Sequence, residues 1–282
     1  MPSDDFLRRL DLRNQQLQGA DLIGADFKGA NLHGVNLSGA NLTRATLDYA
    51  DLGETQLINA DLYRASLRRV ALNLANLQGV NLQQADLRET NFLGAELLQA
   101  NLQQANLQQA NLVSANLTQA NLIGANLSGA DLRSAQLSQA QLQGALYSHR
   151  TIADLDLQTL GAYLLAPNGV LQGLDLSETN LTGAQLRHAD LRRSRLMGTC
   201  LVDVDLDRAN LSGVNLSGAD LRGASLNGTV LTQAVYTPQT QFPPTVEPSE
   251  LGAYLVAPQV RWSDVYLQQL DIPDANLRQA NL

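Results

Sequence analysis

A chain of 282 residues carries few side chains able to do covalent chemistry. Its one thiol is Cys200, and its imidazoles are His33, His149 and His188. A single cysteine excludes an intramolecular disulfide and a cysteine zinc site. The histidines stand too far apart for a paired-histidine metal motif, and no phosphate loop or G-x-S-x-G elbow occurs. His149 with Arg150 is the nearest thing to a reactive pair, and an exposed loop pair is the expected reading. Cys200 takes the place that Asn or Asp usually holds before a leucine, which makes it a substitution rather than a nucleophile. No catalytic residue, cofactor or metal ligand is therefore expected, and the chain reads as a protein that is not an enzyme.

Composition narrows the partners. The 19 Lys and Arg against 27 Asp and Glu give a formal net charge of −8, with a single lysine, Lys28. That balance argues against direct nucleic-acid binding and against anionic membranes. No run of about 18 apolar residues is present, so no transmembrane helix is expected. The acidic start, Met1 to Asp5, lacks a secretory pattern, and a reducing cytoplasm is the expected compartment. The charge is uneven. Residues 101–145 carry one acid and one base, while Arg187, Arg192, Arg193 and Arg195 face Asp203, Asp205 and Asp207 about one repeat apart.

What must position these groups is set by a five-residue period. Of the 28 positions taken every fifth residue from 7 to 142, 26 are Leu, and the others are Phe27 and Phe92. The 26 positions two residues earlier, from 20 to 145, are all small: 21 Ala, with Val35, Val70, Val80, Thr55 and Thr90. In an α-helix, five residues advance the chain by roughly 500°, which scatters the leucines round the surface. In a straight strand the odd period sends alternate leucines to opposite faces. One corner per five residues brings every Leu inward, together with the small residue two before it. Four sides then close a coil of about 20 residues, stacked at roughly 4.8 Å like neighbouring strands. Gly two residues after Leu, as at Gly19 to Gly39, suits a positive-φ corner of type II.

The pattern, as in Ala100-Asn101-Leu102-Gln103-Gln104 and Ala130-Asp131-Leu132-Arg133-Ser134, resembles the pentapeptide-repeat family over about four fifths of the chain. The resemblance implies an all-β solenoid, a right-handed quadrilateral β-helix. It also implies a cyanobacterial source. The expected organisation is an N-terminal tower over 1–147, an insert over 148–168, a second tower over 169–236, a second insert over 237–260 and resumed repeats over 261–282. The two inserts match each other: Leu160-Gly161-Ala162-Tyr163-Leu164 echoes Leu251-Gly252-Ala253-Tyr254-Leu255, and Thr151 echoes Thr240. Each is expected to hold a short α-helix, begun in the second case at Pro248 and stopped by Pro167 or Pro258.

The stacked coils also set columns of residues 20 apart. Lys28, Asp48, Arg68 and Arg88 share one, Arg187 should stack on Asp207, and Asn41, Asn81, Asn101 and Asn121 form a ladder with Asp21 and Asp61. Phe6 and Leu7, flanked by Asp4, Asp5, Arg8 and Arg9, are the expected N-terminal plug. The C-terminal end shows no such cover, so the expectation is that the native chain continues there, that a helical insert folds over it, or that two chains self-associate through it.

Two functions are in view. One is a rigid scaffold for an unidentified protein partner, docking on the insert residues Tyr163, Leu164, Tyr254 and Leu255. The alternative, implied by the resemblance, is a DNA-mimicking protein that binds a topoisomerase such as DNA gyrase.

Overall fold

In a computed structural model, residues 10–13 and 15–257 are described. The chain divides into two compact units, Met1–Tyr163 and Leu164–Leu282. The expected plug at Phe6 and Leu7, the resumed repeats over 261–282 and Pro258 lie outside the described residues.

In the first unit each side of the coil is one rung of a parallel ladder whose pairing steps by 20 residues, from Asp11↔Asn31 to Asn126↔Leu146. The second unit repeats this from Val170↔Asp190 to Asn215↔Val235. A step of 20 shared among sides of five residues makes a four-sided coil. Each side donates three bonds to its neighbours. Leu42 N–H donates to the Asp61 carbonyl of the next coil at 2.7 Å, and the corner residue Arg44 donates to Tyr63 at 2.9 Å. Asn41 N–H reaches back to the Ala20 carbonyl at 2.9 Å. A fourth bond, Ala45 N–H to the Leu42 carbonyl at 2.9 Å, closes the corner.

The lumen holds what the period demands. The inward leucines from Leu32 to Leu132, the equivalents from Leu171 to Leu231, and Phe92 are buried. The small positions beside them are buried as well in the first unit from Ala30 to Ala130, and where a threonine replaces alanine its hydroxyl finds a carbonyl. Thr55 Oγ1 donates to Leu52 at 2.7 Å, and Thr90 Oγ1 to Leu67 at 2.6 Å. A buried hydroxyl would otherwise cost about 1–3 kcal/mol.

Two features extend the sequence reading. First, glycine is not required at the corner. Gly19 to Gly39 hold φ near 66° to 69°, but Arg44, Tyr49, Glu54 and Asn59 hold the same corner at 55° to 63°. The left-handed strain of about 1–2 kcal/mol per residue is set against the ladder bond that the corner N–H makes. Second, the Asn or Asp before each Leu has a local job. Asn41 Oδ1 accepts the Thr43 N–H at 3.1 Å and Asp61 Oδ1 accepts the Tyr63 N–H at 3.0 Å. This is an Asx turn: the side chain occupies the one amide of the side that the ladder leaves over.

The inserts are not α-helices. In the first, β1 (Asp131–Leu132) pairs in parallel with β3 (Ile152–Ala153) in a step of 21, Asp131↔Ile152. β2 (Leu146–Tyr147) pairs with β4 (Tyr163–Leu164). Between β3 and β4 lies one 3-10 turn, Leu157–Leu160. Asp156 caps it by accepting the Gln158 N–H at 2.9 Å, and Gly161 at φ 88° closes it. The apolar spacing 160, 163, 164 is that of a helix face, but a glycine inside it ends the turn after four residues. Tyr163 and Leu164 then enter a strand. Pro167 stops no helix; it occupies the turn Ala166–Gly169 beside Asn168, whose φ is 63°.

In the second insert, β5 (Val235–Tyr236) pairs in parallel with β6 (Tyr254–Leu255) in a step of 19. Pro248 is buried where Leu157 stands in the first, and Ala253 N–H reaches its carbonyl at 3.1 Å just as Ala162 N–H reaches Leu157. Gly252 repeats the φ of 88°. Both inserts are thus coils that leave the ladder for part of a turn. The matched threonines repair the exit: Thr151 Oγ1 accepts the Gly129 N–H at 3.0 Å and donates to Leu127 at 2.8 Å, and Thr240 does the same for Gly218 and Leu216 at 3.1 and 2.8 Å.

Leu102→Ala, in the middle of the first tower, is expected to cost about 2–5 kcal/mol in denaturant unfolding, because a lumen this narrow cannot collapse around the cavity. Amide exchange should quicken first in the rungs around residues 82 and 122.

Candidate functional site

The outer faces carry what chemistry the molecule has, and most of it is internal pairing. Five times an Asp before a Leu is followed by Arg: at Asp11, Asp86, Asp131, Asp190 and Asp220. The spacing of two places both side chains outward on one side of the coil, and the guanidinium forks onto the carboxylate. Arg88 Nη2 lies 2.6 Å from Asp86, Arg192 Nη2 2.6 Å from Asp190 and Arg222 Nη2 2.7 Å from Asp220. The guanidinium beside it holds Asp11 down to about 2, and its neighbours hold Asp131, Asp190 and Asp220 below the usual carboxylate range. Columns alone do not reveal these pairs; the recurring Asp-Leu-Arg triplet is the signal that does.

Asp48 is the most deeply set carboxylate among the described residues, 2% exposed. Burial opposes its charge, but Arg68 more than offsets this with Nη2 at 2.6 Å and its own N–H at 3.0 Å, and the Ser66 hydroxyl adds a bond at 2.6 Å. Its pKa lies below the ordinary value in consequence. Asp207 repeats the device in the second unit, taking the Ser225 hydroxyl and the Asn227 N–H, with Arg187 at 3.0 Å. Arg187 therefore stacks on Asp207 as its column requires. Arg88, placed with Lys28 and Arg68, turns instead to Asp86.

The amide ladder is present: Asn81 Nδ2 donates to Asp61 at 2.9 Å, Asn101 to Asn81 at 3.2 Å and Asn121 to Asn101 at 3.4 Å. Glutamines do the same on other corners, as from Gln99 to Gln119 and on to Gln139, at 2.9 and 2.8 Å. These middle coils are therefore neutral, zipped surfaces.

The scattered reactive groups stay apart. Cys200 Sγ sits 3.2 Å from the Thr182 hydroxyl. His33 Nδ1 lies 3.5 Å from Asp51 Oδ1, while His149 and Arg150 are both exposed. Among the described residues no cluster of His, Cys, Asp and Glu is arranged to hold a metal. None of their helices is long and apolar enough to cross a membrane.

The expected docking residues fall on strands rather than on a helix face. Tyr163 is 37% exposed, and Ile152 and Leu155, earlier in the same insert, are exposed by 49% and 41%. Leu164, Tyr254 and Leu255 are half-buried. In the first insert the sequence reading names Tyr163 and Leu164; Ile152 and Leu155 are exposed apolar side chains as well.

This geometry, one Leu and one corner per five residues with a ladder step of 20, recurs in a known sequence family. The pentapeptide-repeat profile matches in 8 copies, over residues 7–44, 36–79, 75–112, 110–146, 168–198 and 199–235. The chain belongs to the pentapeptide-repeat family. No curated protein matches it. Among solved structures it is similar to HetL, a pentapeptide-repeat protein involved in heterocyst differentiation regulation in the cyanobacterium Nostoc sp. strain PCC 7120. The identity is 30%, over 83% of this chain and 93% of that one, with a TM-score of 0.31. It is also similar to QnrB1, a plasmid-mediated fluoroquinolone resistance protein, at 17% identity over 81% of this chain and 90% of that one, with a TM-score of 0.33.

Two outcomes test the surface. Asp48→Ala should cost about 1.5–3 kcal/mol, the usual worth of hydrogen bonds to a charged group, measured by denaturant unfolding. The paired aspartates have folded pKa values below the unfolded value of about 3.9, so their contribution is complete above that pH and is lost as pH falls through the lowered values. The melting temperature should therefore fall below about pH 4. Replacing Arg13, Arg133, Arg192 and Arg222 by Gln should shrink that fall.

Proposed function

We propose that this chain is a non-enzymatic, rigid scaffold that binds a partner protein. The observation that carries the reading is that Ile152, Leu155 and Tyr163 are all exposed on an insert anchored at both ends by strand pairing. Loops fixed on a stiff frame are where recognition concentrates, and solenoids offer long faces for it. Tyr163 and Leu164 in the first insert, with Tyr254 and Leu255 in the second, are the proposed docking residues. Among the described residues the lumen is filled by leucine and small side chains, which supports a role for the outer faces in binding. A cytoplasmic setting fits the single thiol.

The DNA-mimic alternative asks for a dense line of free negative charge, about one per 1.7 Å in duplex DNA. Here Asp11, Asp86, Asp131, Asp190 and Asp220 each carry an arginine fork, and the middle coils are amide ladders. This pairing favours the scaffold.

The test is affinity capture with the full tagged chain from a lysate of the source organism, beside a folded Tyr163→Ala, Tyr254→Ala bait. A stoichiometric partner lost by the variant is the expected result. Gyrase, retained by the variant and released by salt, would establish the alternative, and capture of nothing by either bait would overturn both.

A further inference from the structure

Where the second insert leaves the ladder, it leaves one side of the last regular coil without its upper rung. In an ordinary side, the residue above gives its N–H to the small residue's carbonyl and its own carbonyl to the Leu N–H, as Asp61 does for Ala40 and Leu42. Two residues on, a second carbonyl takes the corner N–H, as Tyr63 does for Arg44. The side Ala224–Gly228 has these three groups, the Ala224 carbonyl, the Leu226 N–H and the Gly228 N–H. None has a partner among the described residues. The chain that should lie above has turned on itself instead, with Val246 N–H bonded to the Pro243 carbonyl at 3.0 Å. Between the two runs a cleft of about 510 Å³, within the range of ligand and peptide sites, is lined by Ala224–Gly228 on one wall and by Thr245, Glu247 and Glu250 on the other.

The two walls point to one kind of occupant. The floor wants a strand, because its free groups repeat the ladder spacing. The insert wall is acidic: Glu247 and Glu250 are exposed, neither forms an ion pair among the described residues, and no lysine or arginine lines the cleft. Arg208 approaches the Gly228 corner from the coil below, so the acidic character belongs to the insert wall.

We propose that this cleft binds an extended, lysine- or arginine-bearing segment of a partner protein, which completes the missing rung as a parallel strand. The idea rests on the scaffold reading and adds the chemistry of one partner segment. One residue of that segment supplies both its N–H, to Ala224, and its carbonyl, to Leu226. The residue two further on supplies a carbonyl to Gly228, and side chains along the segment meet Glu247 and Glu250. Backbone bonds give the register, and charge gives the choice of partner.

The test uses the full chain and three capped heptapeptides: alternating lysine and valine, alternating glutamate and valine, and the lysine peptide N-methylated at alternate residues. The lysine peptide should bind at least fivefold tighter than the glutamate peptide in a fluorescence titration. It should also slow hydrogen exchange at Leu226 and Gly228 at least tenfold. Glu247→Gln with Glu250→Gln should remove the preference and leave the melting temperature unchanged. Equal binding by the N-methylated peptide would overturn the added strand. Slow exchange at both amides before any peptide is added would show that the chain fills its own rung, and would overturn a foreign occupant. No binding by any peptide at millimolar concentration would also overturn the proposal, while partner capture through Tyr163 would still stand.

Discussion

The fold of each unit hangs on a hydrogen bond that reaches one coil ahead. A leucine N–H can meet a carbonyl in the next coil only if the chain returns to the same place after 20 residues, and it does so along the regular part of each unit. That return fixes the corners, and the corners fix which side chains see the lumen. Burial of leucine supplies the larger energy, roughly 1.5–3 kcal/mol per side chain before entropy. The ladder decides the shape into which that energy is released.

The same ladder explains residues that hydrophobicity does not. The asparagine or aspartate before each leucine is an amide-capping device, as Asn41 and Asp61 are. The positive-φ corner is tolerated at Arg44 or Tyr49 because its N–H is a ladder donor. Where a carboxylate stands outward, the following arginine or the next coil's serine takes up its charge, as at Asp86 and Asp48. Much of the charge on the surface is thus taken up by the protein's own bonding, within a side or between coils.

The towers were legible because Leu and Ala recur at fixed numbers, and columns such as Arg187 over Asp207 follow by counting. The breaks were only half legible. Their duplication could be read from Leu160-Gly161-Ala162-Tyr163 and its copy, and so could the matched threonines. Their form could not, because three apolar residues at helical spacing look the same whether a glycine sits idle within a helix or, like Gly161, turns the chain out of one. The Asp-Leu-Arg pairs were missed for a different reason: a column search looks between coils, and these forks close within a single side. The empty rung above Ala224–Gly228 has no sequence signature, since it is a place the backbone fails to visit.

A coil of four equal sides has an arithmetic of its own. Adding or removing 20 residues in a tower returns each face to its former neighbours. Adding or removing five leaves the lumen equally well filled but turns every later face by a quarter of a revolution. Folding is therefore nearly blind to length in units of five, while the outer surface is not. Within one tower the number of repeats between two features, as between Asp48 and Asp131, is a compass bearing: it sets the direction in which each one looks.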